Sequence, residues 1–146
     1  MLLAVVLIVS QADSDEFVIW KDGVPMLSPQ RKAKMDRDIE KINNAEQYVL
    51  KAEINGLYPC YNCYGKPTIK LRKGEVWKYG VTINSKEGRY KKGLPAKHLV
   101  YIVEYEGRID VCMTQEKIKI FNYALLPENL SREVKLMRPP GNKRDN

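Results

Sequence analysis

The stretch TIKLRKGEVWKYGVTI, residues 68–83, limits the fold more than any other. Ile69 and Leu71, then Val76 and Trp77, flank a Lys73-Gly74 turn signal, which is the pattern of two short strands joined by a turn. AEINGLYPC, residues 52–60, is a further strand candidate just upstream. In HLVYIVEYE, residues 98–106, Leu99, Tyr101 and Val103 oppose Val100 and Ile102, so both alternating faces are apolar and the simplest expectation is a strand covered on both sides.

Helical patterns bracket these strands. Ser28-Pro29 is a helix start, because a hydroxyl can cap free amides and a proline has the φ of a first turn. Met35, Ile39, Ile42, Ala45 and Val49 then recur at spacings of three and four, giving one packing stripe on a helix over about residues 28–50. A second helix is expected over 114–126, with Thr114 as cap, Ile118, Phe121 and Leu125 at helical spacing, and Pro127 as terminator. The sum is an α+β fold: a small antiparallel three-stranded sheet flanked by helices, with an N-terminal helical extension. The expected organisation is an apolar leader and acidic linker over 1–27, an N-terminal helix over 28–52, and one compact domain over 53–146.

A chain of 146 residues with 44% apolar and 29% charged residues suits one domain with a single core. Lys and Arg number 25 against 18 Asp and Glu, and residues 1–27 carry four acids and one lysine, so the basic excess belongs to the rest of the chain. Such an excess favours a polyanionic partner, nucleic acid before an anionic membrane. The leader's apolar run, residues 2–9, is too short to span a bilayer, which takes roughly 20 residues. No stable membrane insertion is expected. Ser10-Gln11-Ala12 has the form of a signal-peptidase site but lacks a basic n-region before it, which leaves a cytoplasmic and a secreted location both open. Cys60, Cys63 and Cys112 do not make an even disulfide framework.

Between residues 64 and 92 lie nine basic residues (Lys66, Lys70, Arg72, Lys73, Lys78, Lys86, Arg89, Lys91 and Lys92) against two acids, with Tyr64, Trp77, Tyr79 and Tyr90 interleaved. Phosphate contacts beside stacking surfaces suit nucleic-acid binding, whereas in a purely structural role the aromatics would be core and the lysines solvated.

These residues also carry a resemblance. Gly56-Leu57-Tyr58 resembles the first half, and Lys78-Tyr79-Gly80 the second half, of the motif that names the GIY-YIG endonucleases; Arg89 follows Gly80 at the family's interval. Glu116 resembles the family's metal-binding glutamate at a helix start, and RPPGNK, residues 138–143, resembles its terminal motif, with Asn142 as the asparagine. The resemblance covers residues 55–143. It implies metal-dependent hydrolysis of nucleic-acid phosphodiesters, DNA before RNA. Tyr58 would serve as general base or orient the water in the field of Lys78 and Arg89, with Lys78 standing where the family usually has a tyrosine. Arg89 would hold the phosphate by its planar fork, and Glu116 one magnesium or manganese ion. Asn142, or else Asn129, would fix the network around the site. Tyr79 would pack on the opposite strand face or join Lys73, Tyr90, Lys91 and Lys143 in the substrate surface.

This chain departs from the family by an insertion over 59–73 and by a Gly- and Pro-rich setting for Arg89 in place of a long helix. Repair, restriction, mobile-element and toxin nucleases all use such domains, and a toxin would need an immunity protein as partner. Two other readings fit the sequence. One is a basic nucleic-acid-binding module without catalysis; the other is a zinc-stabilised interaction domain using Cys60, Cys63, Cys112 and His98.

Overall fold

The computed structural model describes residues 17–145. The apolar run, the Ser10-Gln11-Ala12 stretch and the acids at 13–16 lie outside the described residues. The described chain divides into two compact units, one ending at Ile39 and one beginning at Glu40.

In the first unit, β1 (Val18–Lys21) and β2 (Val24–Leu27) form an antiparallel hairpin around Asp22-Gly23, both at positive φ. The turn falls within KDGVP, residues 21–25, in the segment expected to be linker, and the two strands beside it were not legible. Helix α1 (Pro29–Asn43) begins at the expected cap, with the Arg31 amide donating to Ser28 Oγ at 3.4 Å. Exposed Lys32–Asp36 and Lys34–Asp38 pairs run along it at i,i+4. The expected packing stripe is not packed: Met35, Ile39 and Ile42 are all more than two-fifths exposed.

The helix also ends earlier than the periodicity predicts. Asn44 closes it, its backbone and side-chain amides both donating to Glu40 O, and the next residues are extended. Ala45 and Val49 belong to β3 (Ala45–Ala52), the central strand of the second unit. Its residues are buried on both faces, which favours a strand in the middle of a sheet over a half-exposed helix. The compact unit therefore starts before residue 53, because its central strand lies in the segment expected to be helix.

After β3 come β4 (Gly56–Pro59) and β5 (Thr68–Leu71), a separate two-stranded hairpin that fills most of the expected insertion. Then follow β6 (Val76–Thr82), the five-residue helix α2 (Ser85–Arg89), β7 (Leu99–Gly107), α3 (Ile109–Asn122), a 3₁₀ turn at Tyr123–Leu125, and α4 (Pro127–Leu130). The main sheet is antiparallel in the order β6-β3-β7. The α+β expectation with three antiparallel strands holds at this level. Gly74 takes the positive φ that the β5–β6 turn requires, and its amide donates to Ala52 O at 2.8 Å.

One sheet face buries Tyr48, Leu50 and Ala52 with Tyr58, Leu71, Trp77 and Leu99. The other buries Val49, Val76 and Tyr79 with Ile120, Tyr123 and Leu136. Two expectations fail at the sheet's second edge. Strand β7 is not covered on both sides, since Val100, Ile102 and Val103 are 38%, 40% and 43% exposed on this edge strand. Helix α3 starts at Ile109, so Thr114 is no cap; its hydroxyl donates to Asp110 O inside the helix. Among the described residues, no helix is long and apolar enough to cross a membrane.

The free edge of β6 is closed by the C-terminal segment rather than by a strand. Val76 N–H donates to the Glu128 carboxylate at 3.0 Å, and Gly141 N–H donates to Trp77 O at 2.7 Å. Burial raises the Glu128 pKa above its ordinary value, against the opposing pull of the Val76 amide. The folded protein thus holds that proton more tightly than the unfolded chain, so the Glu128 contribution to stability falls as pH rises from 4.5 through the raised value. Glu128→Gln keeps an acceptor for Val76 and removes the buried charge. It should flatten this part of the pH–stability curve and leave the protein at least as stable at pH 7, as urea melts across pH 4–8 would show.

Candidate nucleic-acid site at the edge of β6

Beside β6 lies a cavity of about 580 Å³. Strand β6 contributes Lys78 and Gly80, the end of α2 contributes Arg89, α3 contributes Glu116, and the C-terminal segment contributes Asn142, Lys143 and Arg144. Tyr61, Trp77, Pro95, Ile109 and Met113 give it apolar walls. These groups meet because an edge strand leaves both sheet faces open to one side.

Glu116 lies in the middle of α3, not at its start. With Cys112 and Ile120 it forms the helix's buried face at i, i+4 and i+8, and it is only 8% exposed. A carboxylate on such a stripe needs compensation, and the nearby Lys78 ammonium supplies part of it. Lys78 is itself shifted: burial lowers its pKa first, Arg89 and Lys143 lower it further, and Glu116 opposes them. Lys78, Arg89 and Lys143 therefore share a small volume around one carboxylate, and Arg144 also lines the cavity.

Asn142 anchors the site. Its Oδ1 accepts the Tyr79 amide and its Nδ2 donates to Tyr79 O, both at 3.0 Å, so one side chain stands in for a paired strand residue. It was expected to fix Glu116 or the surrounding network; the hydrogen bonds it makes are to the β6 backbone. Asn129, the alternative, is buried elsewhere, exchanging bonds with Leu136 N and O at 2.8 and 2.9 Å.

The expected phenol is not in the cavity. Tyr58 is 2% exposed, and its hydroxyl donates toward Ile54 O at 2.7 Å and His98 O at 3.0 Å. It is a core residue of the inserted hairpin. The phenol beneath the cavity is Tyr48, opposite Gly80 in the β3–β6 register. A Cβ at Gly80 would stand 2.3 Å from Tyr48 Cζ and hydroxyl, so only glycine lets that ring end approach the floor. Tyr48 and Tyr90 hydroxyls share a 2.6 Å hydrogen bond, and the Tyr48 hydroxyl, close to Arg89, raises the guanidinium pKa more than burial lowers it.

Of the expected substrate surface, only Lys143 lines the cavity. Tyr79 is buried on the opposite face, where burial and then Glu104 and Glu128 push its phenol up to about 12. Tyr90 packs edge-on against Tyr48 and Tyr101. Lys73 sits in the β5–β6 turn, its amide bonded to Asn55 Oδ1, and Lys91 is exposed after α2; neither lines the cavity. Of the interleaved aromatics, Trp77 and Tyr79 are core, while Tyr64 is fully exposed on the hairpin. The zinc set does not assemble. Cys60 and Cys63 form a disulfide, and Cys112 is buried with its thiol against Ala45 O. Among the described residues no three His, Cys, Asp or Glu side chains converge as a metal cluster.

Tyr48, Tyr61 and Arg144 were not singled out from sequence. The apolar run Tyr48-Val49-Leu50 after Asn44 was the available signal for the first; nothing local marks the other two. Compared with known proteins, the chain matches no protein-family model, no curated protein and no solved structure.

Two measurements follow from this geometry. In a pH titration followed by side-chain nitrogen NMR, Lys78 should lose its proton below 10.5; Lys143→Ala should move that midpoint up and Glu116→Gln further down. Asn142→Ala leaves both Tyr79 backbone groups unpaired, at about 1–3 kcal/mol for each buried group, so a loss of about 2–6 kcal/mol is expected in chemical denaturation.

Proposed function

We propose that the chain is a metal-dependent endonuclease of GIY-YIG-like type, hydrolysing nucleic-acid phosphodiesters, with DNA preferred over RNA. The observation that carries this reading is the convergence of Lys78, Arg89, Lys143 and the buried Glu116 on one cavity from four separate parts of the chain. Three cations alone would bind a phosphate. A buried carboxylate among them repels phosphate unless a cation intervenes, which is a poor arrangement for binding and a useful one for hydrolysis.

Magnesium commonly takes one or two protein carboxylates and completes its shell with water and substrate phosphate oxygens. A single Glu116 facing an open cavity fits that demand. When bound there, such an ion would neutralise charge developing on the phosphate and the leaving oxygen. Arg89 suits the phosphate's two non-bridging oxygens by its planar fork, and Lys78 and Lys143 add point charges. Tyr48 positions Arg89 from below, with Gly80 as the opening. The first half of the resemblance is therefore proposed to rest on Tyr48, in place of Gly56-Leu57-Tyr58.

The excess of cations over carboxylates in the cavity favours a second reading, a non-catalytic basic module. Incubating the purified protein with supercoiled plasmid and with RNA, in magnesium, manganese or EDTA, separates the two. The nuclease reading expects nicking that EDTA stops; salt-sensitive binding without nicking in either metal supports the module instead. Glu116→Gln should lose about a hundredfold or more in turnover while binding DNA at least as well, because a repulsive charge is gone. Tyr48→Phe should lose about tenfold or more, whereas Tyr58→Phe should cost stability and keep the turnover of each folded molecule. The reverse order for the two tyrosines would return the catalytic phenol to Tyr58.

A further inference from the structure

The Cys60–Cys63 disulfide lies at the tip of the β4–β5 hairpin and encloses only Tyr61 and Asn62. Those two residues make the tip's contacts with the segment that closes β6. Tyr61 N–H donates to Pro140 O at 2.9 Å, and Asn62 Nδ2 donates to both Pro139 O and Asn142 O at 2.7 Å. Asn62 Oδ1 accepts from Arg138 at 3.2 Å, and Lys143 Nζ sits 4.8 Å from the centre of the Tyr61 ring. The segment so held carries Asn142 onto Tyr79 and Lys143 to the cavity.

We propose that the Cys60–Cys63 bridge is a redox-sensitive positioning device, which keeps Tyr61 and Asn62 in the one arrangement that clamps residues 139–143 beside the β6 cavity. A closed four-residue ring allows few backbone conformations; an open one regains them, and several bonds made by two adjacent residues must then be formed against that freedom. The rest of the hairpin has anchors outside the ring. Trp77 Nε1 donates to Pro59 O at 2.8 Å, and Cys60 N–H donates to Pro67 O at 2.9 Å. Opening the bridge therefore loosens the clamp without releasing the hairpin.

The bridge is reachable. Cys60 is buried, but Cys63 is partly exposed and lines a second cavity of about 300 Å³ beside Tyr64, Lys66 and Lys70. A dithiol can attack Cys63 Sγ through its thiolate, with Cys60 Sγ leaving and taking up a proton. The reagent's second thiol then displaces Cys63 and closes a cyclic disulfide. Two electrons and two protons pass to the protein, which ends with two thiols.

Amide hydrogen exchange on the oxidised and the dithiothreitol-reduced protein tests this, with alkylation and mass measurement verifying two freed thiols. On reduction, the Tyr79 and Gly141 amides should exchange at least tenfold faster while the β3 amides keep their rates. Oxidised Asn62→Ala should show the same local acceleration, and Cys60→Ser/Cys63→Ser should show it with no response to reductant. Should the double variant fail to fold, the reduced wild type and Asn62→Ala still decide. Unchanged exchange at both amides after full reduction overturns the proposal. So does equal acceleration throughout the sheet, which would make the bridge a general support. The proposal rests on the nuclease reading only for its consequence, a fall of at least tenfold in nicking on reduction, since the exchange result stands whether or not the protein cleaves DNA.

Discussion

Everything at the site depends on how β6 satisfies its outer edge. An edge strand exposes a row of amides and carbonyls that water or another strand must pair. Here an irregular segment does so: the Glu128 carboxylate takes Val76 N–H, Gly141 N–H reaches Trp77 O, and the Asn142 side chain takes both groups of Tyr79. A regular fourth strand would have carried its own side chains across this edge. The C-terminal segment instead leaves Lys78 and Gly80 facing a cavity and delivers Lys143 to it. The backbone pairing and the opening have the same cause.

The charges in that opening oppose one another's burial. Lys78 sits between Arg89 and Lys143, and the depression of its pKa reports both its desolvation and their repulsion. Glu116 returns part of that cost, and its own position on the buried face of α3 is tolerable because cations surround it. An anion in the cavity would relieve the repulsion among Lys78, Arg89 and Lys143. Clustered shifts of this sort mark functional sites more often than ordinary surface. The relief an anion would bring here is local, since exposed charges farther off are screened within about 8–10 Å at moderate salt.

What the sequence showed depended on how far each signal reached. The β5–β6 turn was legible because Gly74 marks it locally, and Lys78, Arg89 and Glu116 were legible as charged residues of types that chemistry uses. The central strand was not. Ala45 and Val49 continue the spacing of Met35, Ile39 and Ile42, so periodicity extends the helix through Asn44, where side-chain and backbone bonds to Glu40 end it. The burial that makes Tyr48-Val49-Leu50 a central strand comes from β6 and β7, partners distant in sequence. Trp77 and Tyr79 misled in the opposite way: a basic stretch with aromatics reads as a binding surface, but a register shift in the β3–β6 ladder sends Trp77 and Tyr79 into the cores on opposite sheet faces and leaves Lys78 beside the cavity.

The two tyrosines show how a three-residue match and a strand register can point to different residues. Gly56-Leu57-Tyr58 lies in the first strand of a β-hairpin inserted between the strands that a compact motif would join directly. Such a hairpin must bury a face of its own to be stable, and Tyr58 supplies it, its hydroxyl paired with carbonyls so that the ring can be core. Tyr48 is placed by the ladder, directly across from the glycine of Lys78-Tyr79-Gly80. That glycine has no side chain to keep the ring from the cavity floor. The inserted hairpin is still not a bystander, because its tip grips the segment that carries Asn142. The insertion therefore keeps Tyr58 away from the cavity, and the same insertion holds in place the edge on which the cavity is built.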